Sequence, residues 1–138
     1  MAITIRKVSY AYLMSADKPG EAARALEALR DANVNLLAFS GFPQGRNRAQ
    51  IDLVTDDLDG LKAVAKRHKW KLSRIKRAFL VQGADDVGAA IAPLASVGAA
   101  KINVIAADAI AAGEGRFGMI FWVDARHYNR AAKLLNAT

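Results

Sequence analysis

The chain has 138 residues, 53% of them hydrophobic, which is the size of one compact domain with enough apolar material to bury a core, so a disordered chain is excluded. No stretch reaches the roughly 18 uncharged apolar residues of a membrane-spanning helix, and the start Met1-Ala2-Ile3-Thr4-Ile5-Arg6 lacks the basic-then-apolar order of a secretory leader. The absence of cysteine removes disulfides, thiolate metal sites and thiol nucleophiles, and the formal charge of +7 speaks to solubility and weak polyanion attraction before it speaks to function. A soluble protein of a reducing compartment, the cytoplasm, is the expectation.

The chain repeats itself. Residues 20–56 align with 88–124 at one offset, since 88−20, 103−35 and 124−56 all give 68. In that register Leu26 meets Leu94, Leu29 meets Val97, Val34-Asn35 meets Ile102-Asn103, and Arg48 meets Arg116. In chain order, the first copy opens with an alternating run in which Val8, Tyr10 and Tyr12 share one side and Ser9, Ala11 and Leu13 the other, the period of a strand. It stops at Ser15-Ala16-Asp17-Lys18-Pro19-Gly20, where Asp17 is placed to cap a helix and Pro19 suits its first turn. The helix carries Ala22, Leu26, Leu29 and Ala32 as an apolar stripe and closes at Asn33. Strands over 36–42 and 48–55 follow, joined by a turn at Pro43-Gln44-Gly45. Asp56-Asp57 then opens a helix with Leu61, Val64 and Ala65 inward.

The second copy reads the same way, with strands over 75–82, 102–107 and 117–123 and helices near 88–97 and 125–136. Pro93 falls inside its first helix, where an interior proline costs about 3 kcal/mol, so that helix starts late or kinks. Each copy lacks a final strand, and both opening strands are longer than one pairing needs. The first few residues of each therefore serve the opposite copy: 3–6 complete the second unit and 70–74 the first. Units of 1–69 and 70–138 with exchanged edge strands are the expected organisation.

The run from Ala16 to Leu36, with its Pro-Gly turn, amphipathic helix and Val-Asn opening the next strand, resembles the signature of ACT domains. The second copy matches through Asp85, Gly88, Leu94, Ile102-Asn103 and Asp124, with Val87 in place of the proline. The resemblance covers nearly the whole chain and is to a stand-alone protein of that family with two tandem units. It implies an α+β fold of two ferredoxin-like βαββαβ units, in a non-catalytic regulatory homodimer that binds an amino acid or similar metabolite where units meet, without a cofactor. Carried over residue by residue, the ligand-binding positions are Asp17, Lys18, Pro19, Gly20 and Asn35 in the first copy, and Asp85, Asp86, Gly88 and Asn103 in the second. The chemistry suits an α-amino acid: glycine admits close backbone approach, a helix N-terminus offers N–H groups to a carboxylate, and asparagine both donates and accepts. The same residues also have a purely structural reading as cap, turn and strand-breaking positions. Asp85 and Asp86 set two carboxylates where an anion would sit, so the two sites are expected to be unequal.

Other motifs carry less. Gly113-Glu114-Gly115-Arg116-Phe117-Gly118 fits G-x-G-x-x-G, but Met119-Ile120-Phe121-Trp122-Val123 after it is a strand where a dinucleotide site needs a helix, so the cluster reads as a hairpin. Arg116-Phe117-Gly118 and Phe121 partly match an RNA-binding strand motif, with packing in the core or at the junction of units the favoured role for both rings. Segment 62–77 holds Lys62, Lys66, Arg67, Lys69, Lys71, Arg74, Lys76 and Arg77 with no acid and with Trp70 interleaved, which keeps nucleic-acid or phosphate binding as the alternative. Its plainer reading is a solvated helix end followed by a lysine-guarded edge. His68 and His127 have no second ligand at i+4, so no metal pair and no catalytic constellation is expected.

Overall fold

The chain order is β1 (Thr4–Ala16), α1 (Glu21–Asp31), β2 (Ala38–Pro43), β3 (Arg48–Val54), α2 (Leu58–His68), β4 (Lys76–Ala84), α3 (Ile91–Ala99), β5 (Val104–Gly113), β6 (Arg116–Val123) and α4 (Tyr128–Leu134), with a 3-10 turn at Ala125–His127 leading into α4. The computed structural model describes residues 3–138. They divide into two compact units, one of Ser9–Lys76 and one of Arg77–Thr138 together with the residues up to Val8.

In the Ser9–Lys76 unit, β1 pairs antiparallel with β3, Tyr10 opposite Val54 and Ala16 opposite Arg48, and β3 pairs antiparallel with β2. The other flank of β1 is taken by the segment after α2: Leu72 bridges Leu13, the Ser73 N–H donates to the Tyr12 carbonyl at 2.8 Å, and the Tyr12 N–H donates to Ser73 Oγ at 2.9 Å. The alternation decides which side chains face the helices. Ala11 and Leu13 lie opposite Leu53 and Ile51 and form a core with Leu29 and Val34 below α1 and with Leu61 and Val64 of α2. The stripe of α1 centres on Ala25 and Leu29; Leu26, expected inward, is only half-buried. Leu61, Val64 and Ala65 of α2 are buried as expected.

In the other unit β4 pairs with β6 and β6 with β5, all antiparallel. Here the first half of β1 supplies the missing flank. Ile3 lies so near Gly83 that a β-carbon there would come within 2.6 Å of its Cγ2, the Thr138 N–H donates to the Ile5 carbonyl at 3.0 Å, and the Lys7 N–H donates to the Thr138 carbonyl at 2.9 Å. The edge segments are exchanged, and the architecture is α+β with two ferredoxin-like units in tandem. The core gathers Phe79, Val81, Val97, Phe117, Phe121 and Tyr128, with Ile3 and Ile5 packed on it. Phe79 stacks on Tyr128 at 4.4 Å between centroids, the buried Tyr128 hydroxyl donates to the Ala78 carbonyl at 2.7 Å, and the Arg77 guanidinium covers the ring at 4.1 Å.

The helix ends show where local chemistry departs from expectation. Asp17 does not cap α1: the N-cap position is Gly20, without a side-chain bond, and Pro19 precedes it. Asp57 caps α2, accepting the Gly60 N–H at 2.9 Å. Helix α3 starts late, at Ile91, so Pro93 stands in the first turn, where its missing N–H has no intrahelical partner to lose. Strand β5 runs to Gly113, well past the expected 107, because the glycine turn sits immediately before β6.

Two outcomes follow. Residues 1–69 alone give no stable folded monomer by circular dichroism and chemical denaturation, because the flank at Leu72 and Ser73 is missing. Burial also raises the Tyr128 phenol from 10.0 to about 12, against the pull of the Arg77 cation. The unfolded chain ionises first, so the stability conferred by the neutral phenol is complete below pH 10 and is lost towards pH 12, by about 2 to 3 kcal/mol in full. Tyr128→Phe costs about 1 kcal/mol at neutral pH and flattens that alkaline slope in denaturant titrations.

Candidate functional site

The two turns that precede α1 and α3 are built by the same backbone bonds. The Asp17 N–H donates to the Asn47 carbonyl at 3.0 Å and the Asp85 N–H to the Gly115 carbonyl at 2.8 Å, each tying the turn to the hairpin of its own unit. Lys18 N–H to Ala16 carbonyl is matched by Asp86 to Ala84, and Glu21 to Lys18 by Ala89 to Asp86, every pair separated by 68. Gly20 and Gly88 both take left-handed backbone, at φ 89° and 73°. This makes each turn a short, backbone-anchored cradle at the start of a helix, where N–H groups and the positive end of the helix dipole favour a carboxylate.

All nine sequence-derived positions are exposed: Asp17, Lys18, Pro19, Gly20 and Asn35 in one unit, Asp85, Asp86, Gly88 and Asn103 in the other. The turn of the first copy gathers both signs of charge. Lys18 Nζ is 3.9 Å from Glu21 Oε1, which Arg24 Nη2 meets at 3.2 Å. The turn of the second copy holds two acids and no base. Within a unit the structure does not bring turn and asparagine together. Asn35 lies beyond the far end of α1, which spans 11 residues or about 16 Å, with its carbonyl accepting from Thr55 Oγ1 at 2.7 Å.

Two hollows flank these positions in the Ser9–Lys76 unit. One runs from Leu13–Ala16 of β1 past Glu21 and Arg24 to His68 and Trp70, whose rings lie 5.6 Å apart; the other collects Leu26, Asn33, Asn35, Leu36 and Phe39 at the opposite end of α1. Sequence reasoning named neither. The half-exposed Phe39, standing on a strand of only six residues, was the available signal for the second.

The remaining motifs resolve into structure. Gly113, Glu114 and Gly115 form the tight β5–β6 turn, all at positive φ, and Phe117 and Phe121 are buried, which leaves neither ring free to stack a base. The eight cations of segment 62–77 are exposed, with Lys66, Arg67 and His68 in the last turn of α2 and Lys69 at its left-handed end. Arg77 is engaged by Tyr128 and by Asn129 Oδ1 at 2.9 Å. Asp124 caps the turn before α4; the Arg126 side chain and backbone N–H both bond to it and hold its carboxyl below the usual value. Among the described residues, no three potential ligands cluster to hold a metal ion, and no helix is long and apolar enough to cross a membrane.

No protein-family model matches the chain, and no curated protein matches it either. Solved structures do. A Bacteroides thetaiotaomicron protein is similar over 97% of this chain and 88% of its own, with a TM-score of 0.73 at 16% identity. The ligand-free regulatory subunit of aspartate kinase from Thermus thermophilus is similar over 99% and 95%, with a TM-score of 0.63 at 16% identity. The aspartate kinase of Clostridium acetobutylicum is similar over 98% of this chain and 33% of its own, with a TM-score of 0.59 at 15% identity. These likenesses show the fold, two ferredoxin-like units in tandem.

At the turn itself, Gly20→Ala loses about 1 to 2 kcal/mol of stability through backbone strain, since the added methyl meets nothing nearer than Arg24 Nη2 at 3.7 Å. Thermal denaturation of the full chain reads it.

Proposed function

We propose that this protein is a non-catalytic regulator that binds an amino acid or a similar small metabolite at an ACT–ACT junction in a homodimer, in the cytoplasm. The observation that carries this reading is the doubled turn: the same glycine-opened, hairpin-tied cradle precedes a helix in both units. A ligand carboxylate fits the N–H groups at the start of α1 with Lys18 beside it, and its ammonium group fits Asp17. Asn35 stands at the other end of α1, so a ligand that uses turn and asparagine together takes them from units of two copies. The same assignment pairs Asp85, Asp86 and Gly88 with Asn103, where the two carboxylates weaken anion binding. The first-copy turn is then the stronger site. That regulatory subunits of aspartate kinase share the fold supports a regulatory role.

A second reading uses the exposed cations of segment 62–77 to bind nucleic acid or phosphate. A thermal-shift screen of the amino acids separates the two. Under the first, one or a few raise the melting temperature, the stabilisation reaching about 2.7 kcal/mol at a hundredfold excess over Kd, and Lys18→Ala removes the response. If no amino acid stabilises the protein, while oligonucleotide affinity falls steeply with salt and drops in Lys69→Glu, the sensor reading is wrong.

A further inference from the structure

The hollow that reaches His68 and Trp70 beside α1 has a counterpart in the other unit. Arg24, Ala25, Ala28 and His68 of the first correspond, 68 residues on, to Ala92, Pro93, Ser96 and Asn136 of a second hollow against α3 and α4. The second is apolar: Ile3, Ile5, Leu134 and Leu135 complete it, and no charged side chain enters it. The first is larger, about 480 Å³ against about 330 Å³, and its lining is of another kind. Glu21, Arg24, Glu27 and Asp31 reach it from successive turns of α1, and the equivalent positions 89, 92, 95 and 99 are all alanine. A fold that accepts alanine at all four does not need these charges for its own packing. The opposite wall is aromatic. Trp70 packs partly on the core and otherwise lines the hollow, its ring 5.6 Å from that of His68. Its backbone N–H, donating to the Ala65 carbonyl at 2.8 Å just after the left-handed Lys69, fixes it there. Glu21 is engaged by Lys18 and Arg24, and Asp31 by Arg30 at 3.1 Å, whereas Glu27 makes no ion pair among the described residues.

We propose that this hollow binds an organic cation, an alkylammonium or alkylguanidinium whose apolar stem lies on Trp70 and whose charged head is met by Glu27 and Asp31. The volume is that of a small-molecule site. The rings select a ligand with an apolar body, because an indole face attracts a weakly hydrated organic cation and offers nothing to a hydrated metal ion. The carboxylates select its sign: three of them against one guanidinium give the hollow an acidic lining in a chain of net charge +7. Among the described residues no three potential ligands converge on a metal ion, so these carboxylates suit a head group with several N–H donors and not coordination. An anion is served better by the exposed cations of segment 62–77. The hollow uses the side of α1 where the Asp17–Gly20 turn uses its start, and it takes a cation where the turn takes a carboxylate. Glu21, which lines the hollow and pairs with Lys18, makes the two neighbours. The inference goes beyond the sensor reading and does not depend on it.

Isothermal titration calorimetry of the full chain with butylammonium and with butylguanidinium tests it, 1-butanol serving as the neutral control. At least one cation binds saturably at millimolar concentration or below and 1-butanol does not, and Trp70 fluorescence changes in step while the buried Trp122 contributes a constant background. Glu27→Ala combined with Asp31→Ala installs the residues of the second copy on a helix that favours alanine, and weakens the affinity at least about tenfold. Asp59→Ala, an acid of the same unit outside the hollow, leaves it within about twofold. Trp70→Leu also weakens binding about tenfold; should that variant misfold by circular dichroism, the alanine pair carries the test. Lys18→Ala leaves cation binding in place while it removes the amino-acid response expected at the turn, so the two sites fail separately. Absence of saturable binding by both cations, equal binding of 1-butanol, or an affinity indifferent to the alanine pair overturns the inference. So does loss of cation binding in Lys18→Ala, which assigns the cations to the turn.

Discussion

The constraint on which this structure depends is the hydrogen-bonding demand of two strand flanks that neither half of the chain can meet from its own residues. A strand with one side unpaired leaves a row of backbone groups to water or to aggregation. Here Ile5 and Lys7 bond to Thr138, and Tyr12 and Leu13 to Ser73 and Leu72, so the single strand β1 serves one unit with its first residues and the other with its last. The chain crosses from one unit to the other between Val8 and Ser9 and again between Lys76 and Arg77. The length of β1, 13 residues, follows from that double duty.

Within this frame the repeat is kept at the level of backbone geometry more than of side chains. Asn33 and Lys101 both turn left-handed after the first helix of their units, at φ 58° and 63°, and Gly45 and Gly113 match at 81° and 84° in the hairpins. Val34 and Ile102 then fold back by the same bond to the fifth residue before them, both at or near 2.9 Å. Left-handed backbone strains most residues, so its recurrence at equivalent positions shows that the turns are held by the bonds around them. What varies freely is what the turn displays: Asp17 and Lys18 in one copy, Asp85 and Asp86 in the other.

The surfaces divide the work accordingly. One unit presents a mixed-charge turn and the cations after α2; the other presents a charge-poor helix and a bare strand. Under the proposed function, the mixed-charge turn is the surface that meets a small charged ligand, and the exposed faces are free to differ between the two units. The buried faces cannot diverge in the same way, because Leu29 and Val97, or Leu53 and Phe121, fill equivalent places in cores that tolerate little change of volume.

Much of the fold is legible in the sequence. The 68-residue offset, the period-two alternation around Tyr10 and Leu13, the helical stripe of Leu61 and Val64, the hairpin glycines and the missing last strand of each copy determined the ferredoxin-like pattern and its exchange. These are local periodicities and counting constraints, and they survive without knowledge of distant contacts. The reach of α3 past Pro93 was legible for the same reason. Other features were decided in three dimensions. Asp17 looked like a cap, but its backbone is drawn to Asn47 across the hairpin, which leaves Gly20 at the helix start. Asn35 looked like the companion of the Pro-Gly turn, but the length of α1 separates them, because a helix carries the chain to the far end of the sheet before the next strand begins. Whether Ile105 and Ile110 lie inside or outside could not be read from an apolar strand; it depends on β5 standing at an edge with only β6 beside it, a property of strand order and not of sequence.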